Sequence, residues 1–325
     1  MNKRKDISIA MIAVLAFIVL LLSGCGFSKG NAQQIESYKF RQGSDGISMK
    51  FAEGMPPDQL YIGTEFSTGL KLKNLGAYDA DSRATLKVTM PDMTAFQFND
   101  GNEQQVSLRG KSLYVKEGEE NIFIFPMKAL CFPGYNGPKD FILKNYSRKM
   151  KATLCYYYET TADSDICIDT LKFRRQANEK IECAMKDEVL SGGQGGPVGV
   201  TRISPQIIPQ SEGEVLVQLS ISFNKLKGAD HTIFSPSRTC GDLEGQNDVD
   251  IEVQMGGQAL TCEPSTIKLK DRDSVGTVCK RRIEANMGAF TSPVSVNLRY
   301  HVQQSLLKQL TVEPPPGGTD CTSLS

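Results

Sequence analysis

The sequence predicts an all-β fold, built as two tandem β-sandwich domains that follow an N-terminal hydrophobic anchor helix. Many short segments alternate apolar and polar residues with period two, which is typical of strands with one buried and one wet face. Turn-forming residues separate these segments, and helical periodicity is almost absent. An uncharged apolar run opens the chain behind a basic start, so the β-rich remainder is predicted to lie outside the cytoplasm.

Residues 1–25 predict a membrane anchor. Basic residues precede an apolar run over 9–22 and hold the N-terminus on the cytoplasmic side. The run ends in Leu-Ser-Gly-Cys at 22–25, which resembles the lipobox of prokaryotic lipoproteins, a family in which the cysteine, here Cys25, carries the lipid. The alternative is an uncleaved transmembrane helix, since counting the flanking residues extends the run to about 20.

Composition limits the partners. Lys and Arg together number 37 and Asp and Glu together number 37, so the formal net charge is zero. A nucleic acid needs a basic footprint, so the prediction is a chain with no nucleic-acid partner and no cofactor.

The length of 325 residues suits about two domains. The strongest punctuation is the Gly-rich stretch at 191–197, where we place the boundary. The predicted segments are an anchor at 1–25, a polar tether at 26–34, a first sandwich at 35–190, a linker at 191–197, a second sandwich at 198–313 and a tail at 314–325.

The cysteine count predicts disulfides. Nine cysteines are present, and setting aside Cys25 leaves an even number, which in an exported chain indicates a disulfide set. Four precede the stretch at 191–197 and four follow it, so no bridge is expected to cross it. The candidates are Cys131, Cys155, Cys167, Cys183, Cys240, Cys262, Cys279 and Cys321, and the preferred pairs are 131–155, 167–183, 262–279 and 240–321.

Period-two alternation predicts the individual strands. In the first half they cover 66–72, 84–90, 105–108, 112–115, 121–125, 150–158 and 166–168, with a turn at 161–164. In the second half they cover 198–205, 215–223, 249–255, 294–302 and 307–312. A weak internal repeat relates Leu154–Tyr158 to Leu298–Val302.

These strands, an Asn-x-Gly-type turn and a late hairpin resemble the immunoglobulin-like modules of archaeal and bacterial cell-surface proteins, the CARDB-type group. The stretch 193–201 also resembles the inter-domain join of anchored proteins from small-genome archaea. The resemblance implies immunoglobulin-like sandwiches, an archaeal source, and a surface or structural role without catalytic residues.

No catalytic or metal-ligating set is predicted. His231 and His301 have no recognisable partner serine, and no G-x-S-x-G motif is present, so both are interpreted as surface or satisfied histidines. The acidic residues near 242–250 lack the spacing of a calcium loop. The predicted protein is therefore not an enzyme.

Two surface features are candidates for recognition and modification. The Pro- and Gly-stiffened loop after Cys131 presents Phe132 and Tyr135, and function on sandwiches tends to reside on such loops. Asn145 begins an Asn-Tyr-Ser glycosylation sequon.

The sequence as a whole predicts a non-catalytic, membrane-anchored protein facing the extracellular or periplasmic side. Its expected role is adhesion, binding or envelope structure, with the membrane, other envelope or cell-surface proteins, or glycans as partners. The alternative is an accessory subunit of an envelope transport or secretion complex.

Overall fold

A computed structural model describes residues 40–91, 95–130, 145–174, 181–210, 213–226, 231–270 and 274–314. The predicted anchor and tether and the predicted tail after Pro314 lie outside the described residues, and so do Cys25, Cys131 and Cys321. Within the described ranges no helix is long and apolar enough to cross a membrane. All of these residues belong to one compact unit that begins at Phe40.

The regular secondary structure of the described residues is almost all strand, apart from a short 3-10 helix at Leu243–Gly245, which confirms the all-β prediction. Its strands are β1 (Ile47–Phe51), β2 (Gln59–Tyr61), β3 (Glu65–Asn74), β4 (Ala80–Thr89), β5 (Phe96–Phe98), β6 (Glu103–Leu108), β7 (Glu120–Ala129), β8 (Tyr146–Asp169), β9 (Glu188–Val189), β10 (Val198–Pro209), β11 (Glu214–Lys225), β12 (Thr232–Phe234), β13 (Asp248–Met255), β14 (Gln258–Ala259), β15 (Thr261–Glu263), β16 (Thr266–Lys268), β17 (Val275–Glu284) and β18 (Ala289–Glu313).

A nine-stranded sheet, which we name the spine sheet, runs through both halves of the chain. Its order is β14-β13-β18-β8-β4-β6, with β12 and β2 also paired to β18 and β16 paired to β13. At its centre β8 and β18 pair antiparallel from Tyr146 opposite Val312 to Asp169 opposite Ala289. At about 3.3 Å per residue, the 24-residue β8 spans roughly 80 Å.

Two smaller antiparallel sheets complete the fold. Their orders are β1-β3-β7-β5 and β15-β17-β11-β10-β9, and their buried residues join those of the spine sheet in one hydrophobic cluster. The two small sheets repeat one arrangement of strands. In one sheet β1 is followed in space by β3, β7 and β5, and in the other β10 is followed by β11, β17 and β15. In the spine sheet β4 lies beside β8 as β13 lies beside β18.

Three buried tyrosines occupy the middle of the spine sheet. The Tyr156 hydroxyl accepts a hydrogen bond from the Ile47 N–H at 3.1 Å, and the Tyr158 hydroxyl donates to the Gly195 carbonyl at 2.6 Å. The hydroxyls of Tyr300 and Thr160 lie 2.6 Å apart. Burial raises the pKa of each tyrosine above its ordinary value, so these side chains stay neutral donors and acceptors inside the core.

The Gly-rich segment 191–197 packs against this tyrosine cluster. The Gly43 N–H donates to the Gly192 carbonyl at 2.8 Å, and the Gly195 N–H donates back to the Gly43 carbonyl at 3.0 Å. A Cβ on Gly196 would lie 2.8 Å from Tyr158 Cε1 and 3.0 Å from the Tyr300 hydroxyl, so only glycine fits this approach. The segment predicted as a linker thus connects β9 to β10 while being bonded to residues near the start of the described chain.

Three local predictions are wrong. Residues 112–115 form a turn closed by the Ser112 N–H and the Val115 carbonyl at 3.0 Å, not a strand. The turn predicted at 161–164 lies inside β8, because buried Ala162 continues the alternation through a polar stretch. The break predicted between 302 and 307 lies inside β18, where the buried Gln304 amide donates to the Ile47 carbonyl.

The disulfides agree with the predicted pairs in two cases and correct two others. Cys167–Cys183 and Cys262–Cys279 are bonded as expected. Cys155 is bonded to Cys240, with the two Cα atoms 6.1 Å apart, so the preferred pairs 131–155 and 240–321 are wrong. The bridge also crosses 191–197, against expectation. The cause is topological: β12 pairs with β18, so the loop after β12 begins one strand away from β8.

Candidate binding groove

The face of the spine sheet opposite the core carries the candidate site. Strand alternation buries Tyr156, Tyr158 and Tyr300 and turns their neighbours to this outer face. Tyr157 lies directly opposite His301 in the register, and Cys155 lies opposite Gln303. The long polar face of the β8–β18 pair is therefore brought together by register, not by proximity in sequence.

A loop over residues 235–247, which we name the strap, crosses this outer face after β12. Its Ser235 carbonyl lies 3.2 Å from His301 Nδ1, a distance at which the Nδ1–H tautomer donates. Its Arg238 guanidinium pairs with Asp242 at 3.0 Å and with Glu244 at 3.3 Å. The Cys155–Cys240 bond then fastens the strap to β8.

Between the strap and strands β4 and β6 lies a concave site of about 400 Å³, which we name the polar groove. Its volume lies within the range of about 300–1,000 Å³ that is usual for ligand sites. The groove is lined by Arg83, Thr85 and Lys87 of β4, Glu103 of β6, Thr153 and Cys155 of β8, Thr239 and Cys240 of the strap, and His301 and Gln303 of β18.

Each charged side chain of the groove, Arg83, Lys87 and Glu103, is paired with an opposite charge. Arg83 donates to both carboxylate oxygens of Asp81, at 2.6–3.0 Å, and these hydrogen bonds hold the pKa of Asp81 below its ordinary value. Lys87 lies 3.3 Å from Glu103. Each cation therefore faces a carboxylate, and these four groups carry no net charge.

Tyr157 holds the floor of this region in place. The Arg83 guanidinium stacks over its ring, 4.0 Å from the centroid, and the His301 ring packs edge-on at 5.6 Å. Tyr78 makes a further edge contact at 5.8 Å. Burial raises the pKa of Tyr157, so its hydroxyl remains protonated at neutral pH.

An ion-pair trio extends the outer face towards β13. Arg299 contacts Glu252 directly and lies 3.8 Å from Glu159. The trio carries one carboxylate in excess of its single cation and lies beyond the groove lining.

Of the residues singled out from sequence, Cys155, Cys240 and His301 line the polar groove, and the others lie away from it or outside the described chain. Phe132 and Tyr135 belong to a loop that the structure does not describe. Asn145 is exposed, and its Nδ2 donates to the Glu313 carboxylate at 3.3 Å. His301, interpreted from sequence as a surface or satisfied histidine, lies on the face opposite Tyr300 and forms part of the groove lining.

Sequence reasoning missed most of the groove because its members look like an ordinary wet strand face. Thr85, Lys87 and Thr153 each occupy a polar position of a predicted strand. The one usable signal is Cys155, which alternates with the buried residues of β8 and so lies on its polar face. A disulfide at that position requires another segment of the chain to cover the face. Within the described residues no set of three or more His, Cys, Asp or Glu side chains is arranged to hold a metal ion.

Comparison with known proteins gives little. No family model and no curated protein matches the chain. Among solved structures, the CupB6 tip adhesin from Pseudomonas aeruginosa is 11% identical, with 83% of this chain and 99% of that chain covered and a TM-score of 0.17. A DUF4466 family protein from Parabacteroides merdae is 8% identical, with 78% and 99% covered and a TM-score of 0.15. Scores this low support no inference about fold or function.

Proposed function

We propose that this chain is a non-catalytic, membrane-anchored extracytoplasmic protein that serves in adhesion, binding or envelope structure. The observation that carries the proposal is the set of three disulfides, Cys155–Cys240, Cys167–Cys183 and Cys262–Cys279. Disulfides of this kind form and persist in oxidising compartments outside the cytoplasm. The lipobox-like sequence at 22–25 supplies the membrane attachment.

The architecture supports this role. The repeated strand order favours two immunoglobulin-like sandwiches that share the spine sheet. A stiff, disulfide-bonded β scaffold presents a polar outer face to its surroundings, and the polar groove lies at the middle of that face. Surface recognition on sandwiches needs such a scaffold and no reacting groups.

One observation favours the alternative, an accessory subunit of an envelope transport or secretion complex. Ile122 and Ile124 of β7 point outward with 49% and 45% of their surface exposed, although both are large and apolar. They lie on the same side of one strand, next to Lys71 and Gly69 of β3. An apolar pair of this kind is suited to contact with another protein.

The proposal is tested by Cys25→Ser in a bacterial host with a functional lipoprotein pathway, with wild type in parallel. We expect labelled fatty acid to be incorporated into the wild type only, and the variant to be released or left unprocessed. Unchanged processing and labelling would remove the lipoprotein assignment. Cytoplasmic retention of the wild type, with reduced cysteines 155 and 240, would overturn the extracytoplasmic assignment.

A second measurement separates the two roles. Affinity purification of the detergent-solubilised chain is compared with that of an Ile122→Thr/Ile124→Thr variant. A stoichiometric inner-membrane complex that is lost in the variant supports the subunit role. The adhesion role predicts that no such complex is purified, and that the wild type and the variant yield the same set of proteins.

A further inference from the structure

We infer that the polar groove is a binding site for a neutral saccharide. The inference rests on the proposed function, since it assigns a ligand class to an extracytoplasmic binding protein. It is carried by the paired charges of the groove, by its hydroxyl and amide lining, and by the way its walls are held in place.

The paired charges of the groove disfavour strongly ionic ligands. Arg83 is engaged by Asp81 and Lys87 by Glu103, so an anion that approaches either cation also meets a carboxylate. A cation is disfavoured in the same way by Arg83 and Lys87. A neutral ligand with many hydrogen-bonding groups avoids both penalties.

The remaining lining groups match the chemistry of a sugar. Thr85, Thr239 and Gln303 each offer both donors and acceptors, as sugar hydroxyls do. Thr153 also lines the groove, with its hydroxyl 3.3 Å from Ser305 Oγ. Among the described lining residues there is no large aliphatic side chain, so they form no anchor pocket of the kind that a lipid chain or an apolar peptide side chain needs.

The groove is preorganised. Asp81 and Tyr157 fix the Arg83 guanidinium from two directions, and the Ser235 carbonyl fixes the His301 ring. The Cys155–Cys240 bond joins the strap wall to the floor. Groups that are ordered before binding lose little entropy when the ligand arrives, which is how a small polar site reaches useful affinity.

The test uses the full-length chain in detergent micelles on an array of neutral and anionic oligosaccharides, followed by calorimetry with the best neutral hit. We expect selective binding of neutral saccharides. Thr85→Val and Thr239→Val should each lower the affinity for the best neutral saccharide about two- to tenfold, which is the cost of one lost hydrogen bond. Thr291→Val, at an exposed position of β18 outside the groove, is the matched control and should leave affinity unchanged.

A disulfide comparison tests the strap. Cys155→Ser/Cys240→Ser should weaken binding at least tenfold by freeing one wall, whereas Cys167→Ser/Cys183→Ser, which removes the bridge from Cys167 on the same strand, should not. Unaltered circular dichroism and thermal unfolding midpoints of the threonine variants show that they fold.

Several results would overturn the inference: no binding to any saccharide on the array, preference for anionic saccharides, or equal affinity of the groove variants and the Thr291→Val control. These readouts use purified protein, so they are independent of export and lipidation. Failure here leaves the proposed function standing, and failure of the Cys25→Ser test leaves this result unaffected.

Discussion

The contact between Gly76 and Tyr158 gives a stability prediction that can be worked from the structure. A Cβ placed on Gly76 would overlap the Tyr158 hydroxyl and lie 2.5 Å from the Gly195 carbonyl oxygen. Overpacking of a buried site costs about 1–3 kcal/mol, and occasionally more. Because a backbone carbonyl is also involved, we expect Gly76→Ala to lower the free energy of unfolding by about 3 kcal/mol.

Tyr158→Phe removes the atom that the new methyl group would overlap. Alone, it costs about 1 kcal/mol: the Tyr78 N–H loses its acceptor at 3.3 Å, but the Gly195 carbonyl keeps the Ala77 N–H at 3.0 Å. The double variant Gly76→Ala/Tyr158→Phe is therefore expected to be more stable than the sum of the single effects predicts, by about 0.5–2 kcal/mol.

Urea unfolding of the detergent-solubilised chain, with disulfides intact and followed by circular dichroism, measures all four free energies. Tyr146→Phe is the matched control, because it lies about 40 Å from Tyr158 along the same strand. Its effect should add to that of Gly76→Ala within about 0.5 kcal/mol. If the free-energy changes of Gly76→Ala and Tyr158→Phe also add, the packing argument is refuted.

Three further predictions concern charge and cross-links. Burial raises the pKa of the three core tyrosines, so the unfolded chain loses their protons at a lower pH than the folded chain does. The free energy of unfolding should therefore keep its full tyrosine contribution below about pH 10 and fall as the pH rises further. In urea titrations at alkaline pH, Tyr300→Phe should make this fall less steep by about 1.4 kcal/mol per pH unit. An unchanged slope would contradict the burial of Tyr300. Cys155→Ser/Cys240→Ser should lower the free energy of unfolding by about 2–4 kcal/mol, and a loss below 1 kcal/mol would mean that the bridge contributes little. Arg83→Ala should change the free energy of unfolding by less than about 1 kcal/mol, because the ion pair between Arg83 and Asp81 is half exposed. A larger loss would show that Arg83 has a structural role.

The strands could be predicted from sequence wherever one face is apolar. Phe66–Leu72 lies within β3 and Val215–Phe223 within β11, because alternating burial on one face leaves a period-two signature. The ends of the long strands could not be predicted from sequence. Thr161-Ala162-Asp163-Ser164 has the composition of a turn, yet its Asp163 pairs with Arg41, and the alternation continues beneath it.

The groove could not be predicted because it depends on contacts between distant parts of the chain. The two bridges predicted correctly close short separations, 16 and 17 residues, whereas Cys155 and Cys240 are 85 residues apart. Assigning four cysteines to each half assumed halves that fold separately. The pairing of β8 with β18 contradicts that assumption, since it places strands of both halves in one sheet.

The internal repeat and the groove have a common geometric origin. The offset that relates Leu154–Tyr158 to Leu298–Val302 also relates Tyr157 to His301, and these two residues face each other at the middle of the β8–β18 pair. Equivalent strands therefore pair antiparallel about an approximate twofold axis at Tyr157 and His301, which covers the edge that each half would otherwise expose.

The two sides of that axis differ in chemistry. On one side Cys155 and Gln303 form part of the polar groove; at the equivalent positions on the other side, Arg299 and Glu159 lie 3.8 Å apart as an ion pair. The Cys155–Cys240 bond fastens the strap to the first side, whereas Arg299, the equivalent of Cys155 on the other side, can form no such bond. A near-symmetric scaffold thus acquires one groove, and the residues that break the symmetry are those in which binding is expected to reside.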